Sequence, residues 1–108
     1  MDVHVVKQHE LPAGELIGAD HGGAGVCVIF VDAPPGGGPS LHKHPYEELF
    51  IVLEGEVTFL AGDDEVRARG GDIVIVPPNT PHEFTNSGDQ RLRQIDIHVS
   101  PTFSTEWL

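Results

Sequence analysis

The sequence predicts an all-β protein, either a sandwich or a barrel of short strands. Short runs rich in Val, Ile and Phe recur along its 108 residues, and segments that contain many of its 13 Gly and 9 Pro separate them. No segment repeats its apolar residues at helical spacing over three turns. A chain of this length has room for one modest core, so we expect a single domain over residues 1–108.

Eight runs are predicted as strands. In chain order they are residues 3–6, 26–31, 49–53, 57–60, 66–69, 73–76, 83–85 and 92–99. From the second run onward, the separating turn segments are 34–38 (two Pro and three Gly), 54–55 (Glu-Gly), 62–64 (Gly-Asp-Asp), 70–72 (Gly-Gly-Asp), 77–79 (Pro-Pro-Asn) and 87–89 (Ser-Gly-Asp). Short strands with turns at even spacing are typical of a sandwich or a barrel.

Two of these runs bear on assembly. Residues 50–53 and 73–76 are apolar at every position, so we expect both faces of these strands to be buried. A small barrel buries one face inside itself, and a homodimer or a terminal strand laid across the outside would cover the other. The C-terminal residues 103–108 are apolar enough to dock on the barrel. The alternative is that the two apolar runs reflect only β-propensity.

The net charge and the single cysteine indicate which partners and which cellular compartment to expect. The formal net charge of −11 argues against nucleic acid or an anionic membrane surface as a partner, because both bind basic faces. The longest apolar run, 26–31, is too short to span a bilayer, and residues 1–4 do not begin a secretory signal. Cys27 lies in that run and has no second cysteine to pair with. We therefore expect a cytoplasmic protein in which Cys27 is a small buried residue.

Three histidines and a glutamate are candidate metal ligands. His42 and His44 are two apart, so an extended strand points both imidazoles to one face, and Glu48 follows at an even offset. The neighbouring Glu47 has an odd offset and should point away. His82 comes after a separate strand, and if the two segments are adjacent all four side chains converge. The alternative is that these are ordinary surface or core residues.

The chemical types of these ligands indicate which metals can bind. Three imidazoles and one carboxylate suit manganese, iron, cobalt, nickel, copper or zinc, whereas calcium and magnesium prefer oxygen ligands. A metal that prefers six ligands keeps two positions for water, substrate or dioxygen. We therefore expect one divalent transition metal (Mn, Fe, Ni, Cu or Zn) in an open site.

The spacing of these residues closely resembles the two motifs of the cupin family. The first motif is matched by Gly36, His42, His44, Glu48 and Gly55, and the second by Gly71, Pro77, His82 and Asn86. Asn79 stands where the family usually has glycine, in a turn that can require positive φ, which asparagine tolerates best after glycine. The resemblance implies a jelly-roll barrel (a double-stranded β-helix) of about six to eight strands. It also implies metal ligation by His42, His44, Glu48 and His82, and commonly a homodimer.

Other residues are predicted to line the site. Phe50 and Phe84 each lie two residues beyond a ligand, so alternation places them on the metal-facing side as pocket walls. Lys43 should point to the opposite face from the two histidines. Tyr46 is placed either at the rim of the pocket or at an edge of the barrel.

The last predicted strand leaves two interpretations open. Gln94, Asp96 and His98 share one of its faces, and apolar residues occupy the other. If the polar face points inward, Asp96 and His98 can handle protons or bind substrate. If it points outward, they are ordinary surface groups, which is the more frequent case for a half-buried strand.

An open site of this kind predicts an enzyme that acts on a small substrate. We favour a dioxygenase-like reaction, in which a diketone, catecholate or enediol chelates the metal through two oxygens and dioxygen cleaves a carbon–carbon bond. The alternative enzyme is an isomerase or epimerase of a sugar or keto acid, with the metal as Lewis acid and Glu48 as the base. A third possibility is a small-molecule-binding protein without catalytic activity.

Overall fold

The computed structural model describes residues 3–108, so residues 1 and 2 of the predicted domain lie outside it. The described residues form ten strands: β1 (Glu15–Leu16), β2 (Cys27–Ala33), β3 (His42–Lys43), β4 (Glu48–Glu54), β5 (Glu56–Ala61), β6 (Asp64–Arg69), β7 (Ile73–Val76), β8 (His82–Asn86), β9 (Leu92–His98) and β10 (Glu106–Trp107). Three short 3₁₀ helices precede β2, at Gln8–Glu10, Pro12–Gly14 and Gly18–Asp20. Within the same residues, no helix is long and apolar enough to cross a membrane.

The strands form two five-stranded sheets, which confirms the predicted all-β double-stranded β-helix. The first sheet has the order β1-β2-β9-β4-β7 and the second the order β10-β3-β8-β5-β6. Neighbouring strands are antiparallel throughout. Antiparallel pairing allows each strand to bury alternate residues, and β4 and β5 show this alternation clearly.

An apolar core fills one end of the space between the sheets. Its buried members are Ala33, Phe50, Val52, Val57, Phe59, Ala68, Val76, Phe84 and Leu92. The rings of Phe50 and Phe59 meet edge to face with centroids 4.8 Å apart, so the two sheets are joined by direct aromatic packing. Burial of each phenylalanine contributes about 1.5–3 kcal/mol to folding. Cys27 is fully buried in β2, as predicted.

Seven of the eight predicted runs coincide with strands, and the first does not. Residues 3–6 form no strand, and Val3 and Val5 are 100% and 78% exposed. A run of β-branched residues becomes a strand only where a neighbouring strand offers backbone partners, and none of the ten described strands pairs with this segment. The structure instead adds three two-residue strands that the sequence pattern did not predict, β1, β3 and β10.

The prediction that 50–53 and 73–76 are buried on both faces is wrong for the single chain. Ile73 and Ile75 are each 60% exposed and Leu53 is 45% exposed, because these side chains point outward from the first sheet. The C-terminal segment docks, as expected, but on the other sheet, where Trp107 pairs with His42. It therefore leaves this outer apolar face uncovered.

Candidate metal centre

The four predicted ligands lie where the two sheets approach each other. His42 on β3 and His82 on β8 are directly paired across the second sheet. Glu48 is the first residue of β4 in the first sheet, and His44 lies in the connection between β3 and β4. The alternation of β4 points Glu48 inward and leaves Glu47 exposed.

Two asparagines of the second motif hold the surrounding loops. Asn79 has φ 61°, so the turn before β8 does require the positive φ expected of this position. Its backbone N–H donates to the carbonyl of His44 over 2.7 Å, which ties the turn to the ligand-bearing connection. The buried side-chain amide of Asn86 donates to the carbonyls of Ala33 and Gln90. Asn86 is therefore a structural residue at the far end of β8.

The four side chains converge on one point. One donor atom from each of His42, His44, Glu48 and His82 lies within 4.8 Å of the donor atoms of the others. All four side chains are buried, with exposed fractions between 1% and 6%. Adjacent buried imidazoles are uncommon in a core without a shared ligand, because each carries polar nitrogens that must be satisfied.

The backbone fixes the tautomer of each histidine of the cluster. Each Nδ1 lies within hydrogen-bond distance of a backbone carbonyl, and a carbonyl can only accept, so Nδ1 carries the proton. Each Nε2 then presents its lone pair toward the cluster, which is the arrangement in which imidazole binds a metal. The three bonds join His42 to Ser40 (2.7 Å), His44 to Ser104 (2.8 Å) and His82 to Thr80 (2.8 Å).

The Nε2 lone pairs and the Glu48 carboxylate lie so close together that they favour a positive charge between them. Nε2 of His44 and Nε2 of His82 lie 3.1 and 3.3 Å from Oε1 of Glu48. Burial alone would raise the pKa of Glu48, but contacts with His44, His82 and His98 hold it well below its usual value. Burial likewise opposes ionisation of His44, yet Glu48 raises the pKa of that imidazole. Three unprotonated Nε2 atoms and one carboxylate form a donor set that fits a divalent transition metal.

A second chain of contacts reaches the other carboxylate oxygen of Glu48 through His98 and Tyr46, whose rings both pack on His44. Oε2 of Glu48 lies 3.0 Å from Nε2 of His98, and Nδ1 of His98 lies 2.7 Å from the hydroxyl of Tyr46. The same hydroxyl accepts a bond from the N–H of Ser104, so its own proton is free to be donated to His98. His98 would then carry its proton on Nε2, facing the carboxylate. It thus differs from the three cluster histidines, whose Nε2 atoms are unprotonated.

The polar face of β9 points inward, contrary to the more frequent case for such a strand. Gln94, Asp96 and His98 are 1%, 3% and 3% exposed, while Ile95 and Ile97 face outward and are half-buried. The physical reason is the cavity and the carboxylate on the inner side, which offer polar groups that this face can contact. Asp96 accepts a bond from the amide of Gln94 over 2.9 Å, and burial, reinforced by Glu48, raises the pKa of its carboxyl.

A cavity of about 450 Å³ opens beside the cluster. Its lining residues are Glu15, Ile29, Val31, Ala33, Gly38, Pro39, His42, His44, Glu48, Phe84, Asp96, His98, Phe103, Thr105 and Trp107. Phe84 is thus part of the wall. Phe50 is not, because it lies in the core, where its ring centroid is 6.0 Å from that of His82 in a T-shaped arrangement. A wider, open depression on β5 and β6 has mainly polar walls and lies away from these residues.

The C-terminal segment supplies one side of this cavity, which the sequence pattern did not reveal. The ring of Phe103 packs edge to face on His98 at 4.9 Å, and that of Trp107 lies 5.0 Å from His42. The carbonyl of Ser104 is the one that orients His44. The apolar character of 103–108 predicted docking, but nothing in the pattern tells where along the barrel the segment docks. Lys43 points away from the cluster, as predicted, toward Glu106 at 3.5 Å.

Sequence comparison finds relatives of several named activities. An uncharacterised protein of Methanocaldococcus jannaschii is 34% identical over 69 residues, which are 63% of this chain and 55% of that protein. An acireductone dioxygenase of Exiguobacterium sibiricum is 33% identical over 64 residues, covering 55% of this chain and 36% of that enzyme. An H2HPP isomerase of Bacillus subtilis is 31% identical over 71 residues, covering 65% and 30%. The chain thus spans about half, or less, of the length of these relatives.

Solved structures share the fold. A Klebsiella pneumoniae protein with a double-stranded β-helix domain superposes with a TM-score of 0.70 at 24% identity, covering 76% of this chain and 69% of that one. Oxalate decarboxylase of Bacillus subtilis superposes with a TM-score of 0.79 at 20% identity, covering 87% of this chain and 27% of that one. At these identities the similarity speaks for the fold alone.

The family itself follows from the sequence profile of the cupin domain. That profile matches residues 29–98, which is more than half of the chain and includes the four clustered residues. The chain belongs to the cupin family.

Proposed function

We propose that His42, His44, Glu48 and His82 bind one divalent transition-metal ion, and that the protein is an enzyme acting on a small, oxygen-chelating substrate. One observation carries the proposal. Three buried imidazoles, each fixed by a backbone carbonyl with Nε2 free, converge with a single carboxylate beside a cavity. Donors of this kind suit manganese, iron, nickel, copper or zinc.

The favoured reaction is oxidative cleavage by a dioxygenase. A bound ion would supply Lewis-acid or one-electron chemistry and positions at which substrate oxygens can bind. The chain positions the ligand side chains, because the Nδ1–carbonyl bonds fix the imidazoles and His98 fixes the second oxygen of Glu48. The apolar cavity walls would bury the body of the substrate. The similarity to an acireductone dioxygenase supports this choice.

A metal-dependent isomerase is the second candidate, and the similarity to an H2HPP isomerase favours it. In that reaction a base moves a proton while the substrate carbonyl is polarised, and Glu48 or His98 would be the base. A Glu48→Gln variant that retains metal but loses isomerisation would support Glu48 in this role. An active variant with intact metal would exclude it.

We also propose that the protein is a cytoplasmic homodimer. The buried single thiol of Cys27 is compatible with a reducing compartment. The exposed Ile73 and Ile75 leave an apolar face that a second copy would cover.

Metal analysis of untagged protein, purified without added metal, tests the proposal. We expect about one equivalent of transition metal per chain, because the donor set of the cluster is complete. His82→Ala should lose it. His9→Ala, which removes an exposed histidine outside the cluster, should retain it.

Turnover assays then separate the candidate reactions. Oxygen consumption with small diketones, catechols or enediols would support the dioxygenase, and isomerisation of keto acids without oxygen uptake would support the second candidate. Binding without turnover would leave a sensor or carrier. Absence of metal in the purified protein, together with no uptake on reconstitution, would overturn the proposal.

A further inference from the structure

Among the residues that the structure describes, ionisable side chains of two kinds line the cavity beside the cluster. They are the carboxyl groups of Glu15, Glu48 and Asp96 and the imidazoles of His42, His44 and His98. The six lysine and arginine residues of the chain all lie in the part that the structure describes, and none of them lines this cavity. Four of the six form ion pairs with carboxylates outside the cavity. These pairs are Lys43–Glu106, Arg67–Glu65, Arg91–Asp32 and Arg93–Glu54.

The remaining walls are mostly apolar. β2 contributes Ile29, Val31 and Ala33 from its inward face. Phe84, Phe103 and Trp107 add aromatic surface. Such walls bind the body of a ligand by apolar burial and give no compensation to a buried charge.

Asp96 is the residue of β9 that carries a carboxyl group and lines the cavity. Its side chain is 3% exposed, and its one side-chain hydrogen bond within the described residues comes from the amide of Gln94. Burial, with a smaller effect of Glu48, raises the pKa of this carboxyl. A protonated Asp96 offers a hydroxyl donor, and an ionised one repels anions. In neither state does it provide the positive charge that a second anionic group would need.

The metal site itself can neutralise only one anionic group. One carboxylate against a divalent ion leaves a net charge of about +1 at the inner shell. A chelating head such as an enolate or a monoanionic catecholate cancels that charge. Any further carboxylate or phosphate on the same molecule would be buried beside acids and apolar walls, which is unfavourable without a cationic partner.

We propose that this cavity takes a substrate with one metal-chelating pair of oxygens and an otherwise uncharged, largely apolar body, and that it discriminates against substrates with a second anionic group. The inference rests on the metal site proposed above and names the substrate class for it. It sets aside compact dianions and phosphorylated sugars as substrates of this site.

A matched pair of probes tests the inference directly. Protein loaded with Co²⁺ is titrated without oxygen with 4-methylcatechol and with 3,4-dihydroxybenzoate, and binding is followed by the visible spectrum of the metal. The two compounds share a chelating head and differ by a methyl or a carboxylate group opposite it. We expect 4-methylcatechol to bind at least about tenfold more tightly, because the added carboxylate finds no cation in the cavity.

A variant that adds the missing cation provides the second test. Val31→Arg places a guanidinium on the cavity wall and should reduce the preference for 4-methylcatechol, while Leu53→Arg on the outer face should not. Thermal melting and Co²⁺ content establish that each variant is folded and loaded.

The outcomes separate this inference from the proposed function. Equal or tighter binding of 3,4-dihydroxybenzoate to the Co²⁺ protein would overturn the substrate class and leave the metal site standing. The same conclusion follows if neither probe changes the Co²⁺ spectrum. Failure to bind Co²⁺ at all would overturn the metal site and, with it, the substrate class.

Discussion

Tyr46, His98 and Glu48 form a chain of polar contacts that ends on the proposed metal. Tyr46 Oη lies 2.7 Å from Nδ1 of His98, whose Nε2 lies 3.0 Å from Oε2 of Glu48. The other carboxylate oxygen faces His44 and His82. His98 therefore holds one oxygen of Glu48 so that the other is presented to the cluster, as residues that contact a metal ligand commonly do.

Removal of this support should weaken metal binding without abolishing it. We expect His98→Ala to lower Co²⁺ affinity by about 10- to 100-fold and Tyr46→Phe to lower it by less, because the hydroxyl acts through His98. Competition with a chromophoric chelator measures both constants, and His82→Ala gives the value for a lost ligand. An affinity of His98→Ala equal to that of the unmodified protein would contradict the positioning role.

Asp96 should make the metal-free protein less stable as the pH rises. Its carboxyl has a raised pKa in the folded state, so between the unfolded value of 3.8 and the folded value the native state binds more protons than the unfolded state. The free energy of unfolding then falls by up to about 1.4 kcal/mol per pH unit across this interval. Asp96→Asn removes this dependence, so it should be more stable than the unmodified protein at pH 8 but not at pH 4.

Urea unfolding of the metal-free protein at pH 4, 6 and 8 measures the effect. Asp63→Asn serves as control, since Asp63 is exposed at the tip of the β5–β6 hairpin. Equal pH dependence of Asp96→Asn and the unmodified protein would show that Asp96 is not buried as described.

At the scale of the elements, the sequence pattern predicts strands well where a run of β-branched and apolar residues is bounded by turns on both sides. β4, β5 and β7 were predicted almost to their ends for this reason. β1, β3 and β10 have two residues each, which is too short for any periodicity to appear. β1 pairs with β2, β3 with β8 and β10 with β3, and each of these pairings depends on residues distant in the sequence.

In the candidate site too, some residues could be predicted from the sequence and others could not. His42, His44, Glu48 and His82 could be found from spacing, because alternation and a familiar motif act over short distances. Which face of β9 points inward could not be predicted, because alternation separates two faces without saying which one meets the interior. The general rule favoured the apolar face, and the polar groups around Glu48 reversed it. The aromatic wall of Phe103 and Trp107 depends on a long-range contact and leaves no local pattern.

At the scale of the whole molecule, the first sheet exposes an apolar outer face. Ile73 and Ile75 on β7 and Leu53 on β4 are its most exposed apolar residues, and Ile51 and Ile95 lie half-buried beside them. Contiguous apolar surface of this kind is typical of an interface. The docked C-terminal strand is the edge strand of the other sheet and does not lie over this face, so a second copy of the chain is the occupant that we propose for it.

We therefore expect a dimer in solution that depends on this face and strengthens with salt. Each chain carries a net charge of −11, so association works against like-charge repulsion, which added salt screens. Analytical ultracentrifugation should give twice the chain mass of 11.7 kDa.

Ile73→Glu with Ile75→Glu should give the monomer without unfolding it, because both side chains are already exposed in the single chain. Val66→Glu on the opposite sheet should leave the dimer intact. A monomer at every salt concentration would contradict the expectation, whereas a dimer that survives the double substitution would place the interface elsewhere on the barrel.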